Sequence, residues 1–304
     1  MLSFSTNWNA SRQSDGGEII REIRLLGFET IELGHGLSVS QMQGIREARG
    51  AEEINVLSVH NFCPMPLEVL NDNPDCYEFT SQRPEERDRA FRLTQQTMHT
   101  AHEFGARFVV LHLGRISTLR GMTRNLMTEL RTLGVASKQY NRSKLSVVQS
   151  REKEASAHLD RVTKTLERLL PEAAALGLTL VIENRSDFEA IPTERELLSL
   201  LRHFDSPHLR YWHDFGHAQM RENMGLLDHA QWLAEIAPYA VGAHLQDARW
   251  PDVDHLVPFD GEIPFDRLMP FLPKSIAYTL ELSPRAQPEA IIAAAARWKT
   301  LFPS

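Results

Sequence analysis

The sequence predicts an α/β protein built as a single (β/α)8 TIM barrel, and two observations carry this prediction. Short apolar runs rich in Val, Ile, Leu and aromatic residues alternate with longer segments of helical spacing. Eight such runs within 304 residues match the count of a closed barrel. A doubly wound open sheet is the alternative. It usually carries a glycine-rich phosphate loop after its first strand, and the corresponding segment, NASRQSDGG, is not GxGxxG.

The apolar runs are predicted to be strands covered on both faces. They span residues 2–8, 28–34, 54–60, 107–114, 178–184, 209–214, 241–247 and 277–283. Helical spacing between them predicts helices at 16–27, 83–105, 150–177, 193–204, 226–237 and 288–302. The second of these begins with Pro84 and ends at Gly105, as helix boundaries often do.

A long basic insert follows the fourth strand, at residues 115–150. It contains seven Lys and Arg residues and one acid, Glu129. A connection this long within a compact domain is usually functional or disordered. We expect a partly helical insert over the mouth of the barrel; a solvated surface excursion or an oligomer contact is an equal alternative. The prediction is one domain over residues 1–304.

Amino-acid composition argues against several classes of protein. The net charge of −7 and pI near 6.0 argue against a general nucleic-acid binder, which is usually basic. Two cysteines, Cys63 and Cys76, are too few for a disulfide scaffold and fit a reducing cytoplasm. The first residues resemble no secretory signal, and no apolar run reaches the length of a membrane span. We therefore expect a cytoplasmic protein with no membrane contact.

Acids and imidazoles stand at the ends of six successive predicted strands. Any one of them could cap a helix or pair with an arginine. In a (β/α)8 barrel, however, the carboxyl ends of the strands meet at the catalytic face. The residues at or near these six ends are His60, His112, Glu183, Asp214, His244 and Glu281, with His217 and Asp247 just beyond two of them.

Carboxylates that converge on one mouth repel one another and are costly to bury without a counter-charge. A divalent cation removes that cost, because carboxylates and neutral imidazoles are its ligands. Glu183, Asp214, His244 and Glu281 form a set suited to Mn²⁺, Mg²⁺, Co²⁺ or Zn²⁺. His213 precedes Asp214 on a strand and must point to the opposite face, so we expect it to be structural.

At these residues the chain resembles the xylose isomerase-like barrel superfamily, which includes sugar isomerases and epimerases and the endonuclease IV enzymes. The resemblance spans nearly the whole chain except the insert. Its motifs are LVIEN with Glu183, WHDFGHA with Asp214 and His217, GAHLQD with His244, DHLVPFDGEIPF with His255, and LELSP with Glu281; LSVHNF with His60 and LHLG with His112 match more weakly.

The isomerase and epimerase branch implies one divalent metal held by the four-residue set. It also implies that Glu183 and Glu281 move a proton through an enediolate of a sugar or sugar phosphate. His217 and Glu189 would contact substrate oxygens. Arg185 and Arg285 could receive a phosphate or carboxylate, and Trp212 is a further substrate contact.

The endonuclease IV branch implies three zinc ions and a phosphoester hydrolase. The chain matches eight of the nine ligand positions of that branch, including His60, His112, His217 and His255. The ninth falls on Val253, with Asp252 and Asp254 out of register. The acidic net charge makes nucleic acid an unexpected partner. A non-catalytic metal- or sugar-binding barrel is a third alternative, and homo-oligomer formation stays open.

Overall fold

The barrel closes as predicted. The computed structural model describes residues 1–51, 53–70 and 73–303. Eight parallel strands form the barrel: β1 (Leu2–Ser5), β2 (Thr30–Leu33), β3 (Asn55–His60), β4 (Phe108–Leu111), β5 (Thr179–Glu183), β6 (Leu209–Asp214), β7 (Ala240–Leu245) and β10 (Ala277–Leu280). Around the barrel they neighbour one another in the order β1-β10-β7-β6-β5-β4-β3-β2. Each overlaps a predicted run.

A short antiparallel hairpin follows β7 at the mouth and was not predicted. It consists of β8 (Asp247–Arg249) and β9 (Val253–Leu256). The carboxylate of Asp247 fixes the chain beyond it by accepting hydrogen bonds from four backbone N–H groups, those of Ala248, Phe259, Gly261 and Ile263. Asp247 is therefore structural, because its oxygens are used within the loop.

Helices surround the barrel: α1 (Gly16–Leu25), α2 (Val39–Gly50), α3 (Pro84–Glu103), α4 (Met122–Leu133), α5 (Lys138–Ala175), α6 (Glu194–Phe204), α7 (Phe215–Asn223), α8 (His229–Ile236), α9 (Phe265–Leu268) and α10 (Pro288–Leu301). Sequence patterning did not predict α2. Its start is set by a capping box, in which Ser38 caps the N–H of Gln41 and the Gln41 side chain accepts from the N–H of Ser38 at 2.8 Å.

The insert divides into two helical parts. Its first half contains α4, and its second half forms the first turns of α5, which begins at Lys138 and not near residue 150. A small separate core joins these parts to the loop after α7; it consists of Leu126, Met127, Leu130, Tyr140 and Met224. Arg131 of α4 pairs with Asp252 in the β8–β9 hairpin. The insert therefore lies against the mouth through this hairpin.

The barrel interior is packed and not open. Its cluster contains Leu57, Phe108, Val110, Val181, Trp212 and Ala277. The Trp212 ring lies where a side chain on residue 242 would stand, so the neighbouring strand must carry glycine there. A second, larger core fills the space between the strands and the helices.

Within the described residues, no helix is both long enough and apolar enough to cross a membrane. Cys63 and Cys76 are both free thiols, with Cys63 buried.

The close approach of Trp212 to Gly242 gives a test of the packing inside the barrel. A methyl group on residue 242 would overlap the indole ring, so Gly242→Ala should lower the free energy of unfolding by about 1–3 kcal/mol. Gly50→Ala is the control, because no described residue lies near that position at the end of α2 and alanine favours a helix. Equal urea midpoints for Gly242→Ala and the unchanged protein would contradict this packing.

Candidate metal and active site

Four ligand-type side chains meet at the carboxyl end of the barrel. Glu183 ends β5, Asp214 ends β6, His244 lies on β7 and Glu281 follows β10. These strands are consecutive neighbours in the barrel. One ligand atom of each lies within 4.8 Å of the others, and all four residues are buried. We call this set the central group.

The orientation of His244 is set by a residue that the sequence analysis missed. Its Nε2–H donates to the buried carboxylate of Glu32 on β2, at 3.1 Å. The Nδ1 atom, which makes no hydrogen bond to any described residue, then faces the central group, 3.2 Å from Glu281 Oε2 and 3.5 Å from Glu183 Oε2. A carboxylate behind a ligating histidine is a common arrangement in metal sites. The sequence did offer a signal for Glu32, because it is an acidic residue inside the predicted strand 28–34.

The central group stabilises positive charge. Burial opposes protonation of His244, but Glu281, Glu32 and Glu183 outweigh it and raise its pKa well above the usual value. Burial also opposes ionisation of Glu281, yet His244 and His255 lower its pKa to about 2. Glu281 is therefore ionised at neutral pH, so the central group contains buried negative charge that a cation would offset.

Two further groups adjoin the central group. In the first, His60 Nε2 and His112 Nε2 lie 3.3 and 3.1 Å from Glu183 Oε2. This first adjoining group shares Glu183 with the central group. The second consists of His217, Asp254 and His255. The sequence placed Asp254 out of register with the ninth ligand position, yet its carboxylate lies with these two histidines. The β8–β9 hairpin brings this carboxylate into place, which strand register alone could not indicate.

Each of the five imidazoles in these groups has one nitrogen held by a protein oxygen. His60 Nδ1–H donates to Asn61 O and His217 Nδ1–H to Asn184 O, both at 3.0 Å. The corresponding acceptors are Asp75 for His112, Glu32 for His244 and the Glu281 carbonyl for His255. Since these oxygens only accept, each held nitrogen carries a proton. The second nitrogen of each ring is the one that could bind a metal ion. An imidazole held in this way can bind a metal ion through its second nitrogen once that nitrogen has lost its proton.

Trp212 and Glu189 were predicted to contact substrate. Both are buried and have structural roles, so those two predictions were wrong. Trp212 is fully buried, with its ring centroid 5.6 Å from that of His244. It lies two residues before Asp214 and so points into the barrel interior. Glu189 is 3% exposed, and its carboxylate accepts from the N–H groups of Gly121 and Thr123 at the start of α4. It therefore caps the insert helix.

The two arginines differ in their surroundings. The side chain of Arg185 is about one-fifth exposed (21%), and its Nη1 lies 2.8 Å from His112 Nε2. Arg285 is exposed, directly after the lining of the mouth cavity described next. The role of Arg285 as an anion contact stays a prediction.

A cavity of about 310 Å³ opens above Glu281, large enough for a small polar ligand. Its lining consists of Asn7, His35, Asp254, His255, Glu281, Leu282, Ser283 and Pro284. Asn7 Nδ2 donates to Glu281 Oε1 at 2.9 Å, while Asn7 Oδ1 is buried and has no hydrogen-bond partner in the described part of the chain. A larger depression, about 830 Å³, lies on the outer surface between α5, α6 and α8, away from all three groups.

His213 faces the helix layer. Its Nδ1 lies 2.7 Å from the Tyr211 hydroxyl and its Nε2 lies 3.0 Å from His229 Nε2. Burial lowers the pKa of both imidazoles, that of His229 to about 3. Both rings are therefore neutral and belong to the packing between β6 and α8.

Comparisons with known proteins agree with this architecture. A family model described as xylose isomerase-like TIM barrel matches residues 20–300. A comparison with curated protein sequences found no match. Among solved structures, a D-tagatose 3-epimerase-like protein has a TM-score of 0.71 at 18% identity, covering 98% of this chain and 96% of its own. A 3-keto-D-glucoside 4-epimerase from E. coli, in its apo form, has a TM-score of 0.67 at 14% identity, covering 98% of both chains.

A third similar structure is a D-psicose 3-epimerase determined in the presence of D-fructose. Its TM-score is 0.67 at 13% identity, and the match covers 100% of this chain and 99% of the other. At sequence identities this low, the structural similarity establishes a shared fold alone.

The Glu32–His244 contact gives a prediction about metal affinity. Glu32→Gln removes the charge that orients the imidazole and raises its basicity, so Co²⁺ affinity should fall about 10–100-fold. The measurement is a calorimetric titration of the metal-free protein. Glu29→Gln, an exposed acid three residues earlier, is the matched control and should bind Co²⁺ as before. Unchanged affinity in Glu32→Gln would contradict the role of Glu32.

The buried neutral His229 gives a prediction about acid stability. Its pKa is about 3 when folded and 6.5 when free, so the unfolded chain binds a proton first as the pH falls below 6.5. Stability should therefore decrease from pH 6.5 towards pH 3, by on the order of 5 kcal/mol from His229. Urea unfolding of His229→Gln at pH 7 and pH 4 should show a smaller loss. The exposed His203→Gln is the control; equal losses in all three proteins would refute this account.

Proposed function

Because the chain belongs to the xylose isomerase-like TIM barrel family, we propose that it is a divalent-metal-dependent isomerase or epimerase of a sugar or sugar phosphate. The observation that carries the proposal is the central group, in which two glutamates, an aspartate and an oriented imidazole surround one point. The sugar epimerases among the similar structures support the substrate class.

The residues fit a metal ion. His244 Nδ1 is buried, makes no hydrogen bond to any described residue and faces the carboxylates of the central group. Glu183, Asp214, His244 and Glu281 would hold Mn²⁺, Mg²⁺, Co²⁺ or Zn²⁺. A bound ion would supply electrostatic stabilisation for the negative charge that develops on a substrate carbonyl oxygen.

The protein's own residues supply the proton transfer. Glu281 is ionised at neutral pH, as described above, and burial of Glu183 is likewise outweighed by His244 and His112, which lower its pKa. Either carboxylate can therefore remove a proton next to a substrate carbonyl, and the carboxylic acid so formed can return it to the enediolate. Return by the other carboxylate requires that this second group has first taken up a proton from solvent. Asn7 holds Glu281 on the cavity side through its hydrogen bond.

Other side chains position this machinery. Gln246 Nε2 donates to Asp214 Oδ2 at 2.7 Å, and the Asp214 N–H donates to Asn184 Oδ1 at 2.7 Å. His217 lies 3.1 Å from Glu183 Oε1, and Asp214 and Glu183 outweigh burial to raise the pKa of His217 to about 9. A protonated His217 would donate a hydrogen bond to a substrate oxygen when no metal binds it.

A zinc-dependent phosphoester hydrolase is the second candidate, and one observation favours it. The two adjoining groups lie beside the central group, and Asp254 completes a three-residue set with His217 and His255. Three groups of this kind suit a multi-metal phosphoesterase. The net charge of −7 opposes a nucleic-acid substrate and favours a small one.

We also propose a reducing compartment such as the cytoplasm. Both cysteines are free, and Cys63 is buried against Met42, where oxidation would disturb the packing. Homo-oligomer formation stays a prediction.

The proposed function is tested by a proton-exchange screen. The protein, loaded separately with Mn²⁺, Co²⁺ or Zn²⁺, is incubated with ketoses and their phosphates in D₂O. Deuterium should appear at a carbon next to the carbonyl of at least one substrate. Hydrolysis of bis(4-nitrophenyl) phosphate is measured in parallel. Hydrolysis without exchange would establish the second candidate and refute the first.

Glu183 should be essential in the exchanging enzyme. Glu183→Gln removes a proton acceptor from the central group, so the exchange rate should fall by at least about 10²–10⁴-fold while the circular dichroism spectrum is unchanged. Glu289→Gln, an exposed acid on α10, is the matched control and should exchange normally. Full activity in Glu183→Gln would refute the assigned role.

A further inference from the structure

We propose that the guanidinium of Arg185 supplies the positive charge of the first adjoining group, so that His60, His112 and Glu183 do not hold a second metal ion. The inference rests on the proposed function only in taking Glu183 as a ligand of the central group. It concerns the number of metal ions that the protein binds.

The hydrogen bonds of His112 are the first observation. Its Nδ1 lies 2.8 Å from Asp75 Oδ1, so the ring proton stands on Nδ1. The remaining nitrogen, Nε2, has a single lone pair, and Arg185 Nη1 lies 2.8 Å from it. A guanidinium only donates, so Nε2 accepts this hydrogen bond. One lone pair cannot bind a metal ion and accept from Arg185 at the same time.

Among the five imidazoles of the three groups, His112 is the one whose inward nitrogen accepts from an arginine. The inward nitrogen of His60 faces Glu183 Oε2, and that of His244 faces the central carboxylates. His112 is also the histidine that would have to bind a second metal ion together with Glu183.

Electrostatics lead to the same conclusion. Arg185 Nη1 lies 3.6 Å from Glu183 Oε1, so the guanidinium already offsets part of the charge of this shared carboxylate. A divalent ion between His60, His112 and Glu183 would stand within a few ångströms of that guanidinium. Repulsion between two cations at such a distance is strong in a buried site.

The position of Arg185 is fixed by its neighbours. Its Nη2 lies 3.7 Å from Asp75 Oδ2, and Asp75 is held in turn by Arg115, which also bonds Glu78 at 3.0 Å. Asp75 thus orients both His112 and Arg185. This arrangement favours the proton-transfer function over a multi-metal hydrolase.

The experiment counts metal ions. Metal-free protein is saturated with Co²⁺, freed of excess metal, and analysed for cobalt per chain. Arg185→Met should bind about one more ion than the unchanged protein, because His112 Nε2 is released. The double variant Arg185→Met/His112→Ala should return to the unchanged count. Arg285→Met, which removes an exposed arginine at the same mouth, is the control and should leave the count unchanged.

Two results would overturn the proposal. The first is an Arg185→Met protein that folds and binds no additional cobalt. The second is a loss of about one ion when His60→Ala is compared with the unchanged protein, since this would mean that the group already holds metal. The second comparison does not depend on the folding of Arg185→Met. Neither measurement uses a substrate, so an extra ion in a protein without exchange activity would refute the function and leave this inference standing.

Discussion

The whole site depends on negative charge buried around one imidazole. Glu32, Glu183 and Glu281 all approach the His244 ring within 3.5 Å, and Asp214 Oδ2 lies 3.7 Å from its Nδ1. Four carboxylates with almost no exposed surface cannot share this volume without a compensating cation. The remaining features of the mouth orient these ligands or add positive charge beside them.

The barrel makes this concentration of charge tolerable. Packed apolar residues beneath the central group, including Trp212 and Phe108, close the interior and leave the mouth as the accessible side. Each ligand comes from the end of a different strand, so its position is set by the backbone hydrogen bonds of the barrel. A rigid set of donors of this kind binds an ion without first being reorganised.

Strand ends were predictable, and their surroundings were not. Alternation of apolar runs and helices locates the mouth, and the residues at the run ends therefore locate the central group. The same alternation, applied to Trp212, would have placed it inside the barrel, because residues two apart on a strand share a face. Glu189 and Asp254 lie in connections, where position depends on the insert and on the β8–β9 hairpin. Glu32 was overlooked because its strand appears apolar.

The central claim is that one divalent ion lies between Glu183, Asp214, His244 and Glu281. The most direct test is a crystal structure of the cobalt-loaded protein with anomalous scattering measured at the cobalt edge. The account predicts a strong peak about 2.0–2.2 Å from His244 Nδ1 and from carboxylate oxygens of the other three residues. Cobalt bound elsewhere, with His244 Nδ1 protonated and bonded to a carboxylate, would contradict it.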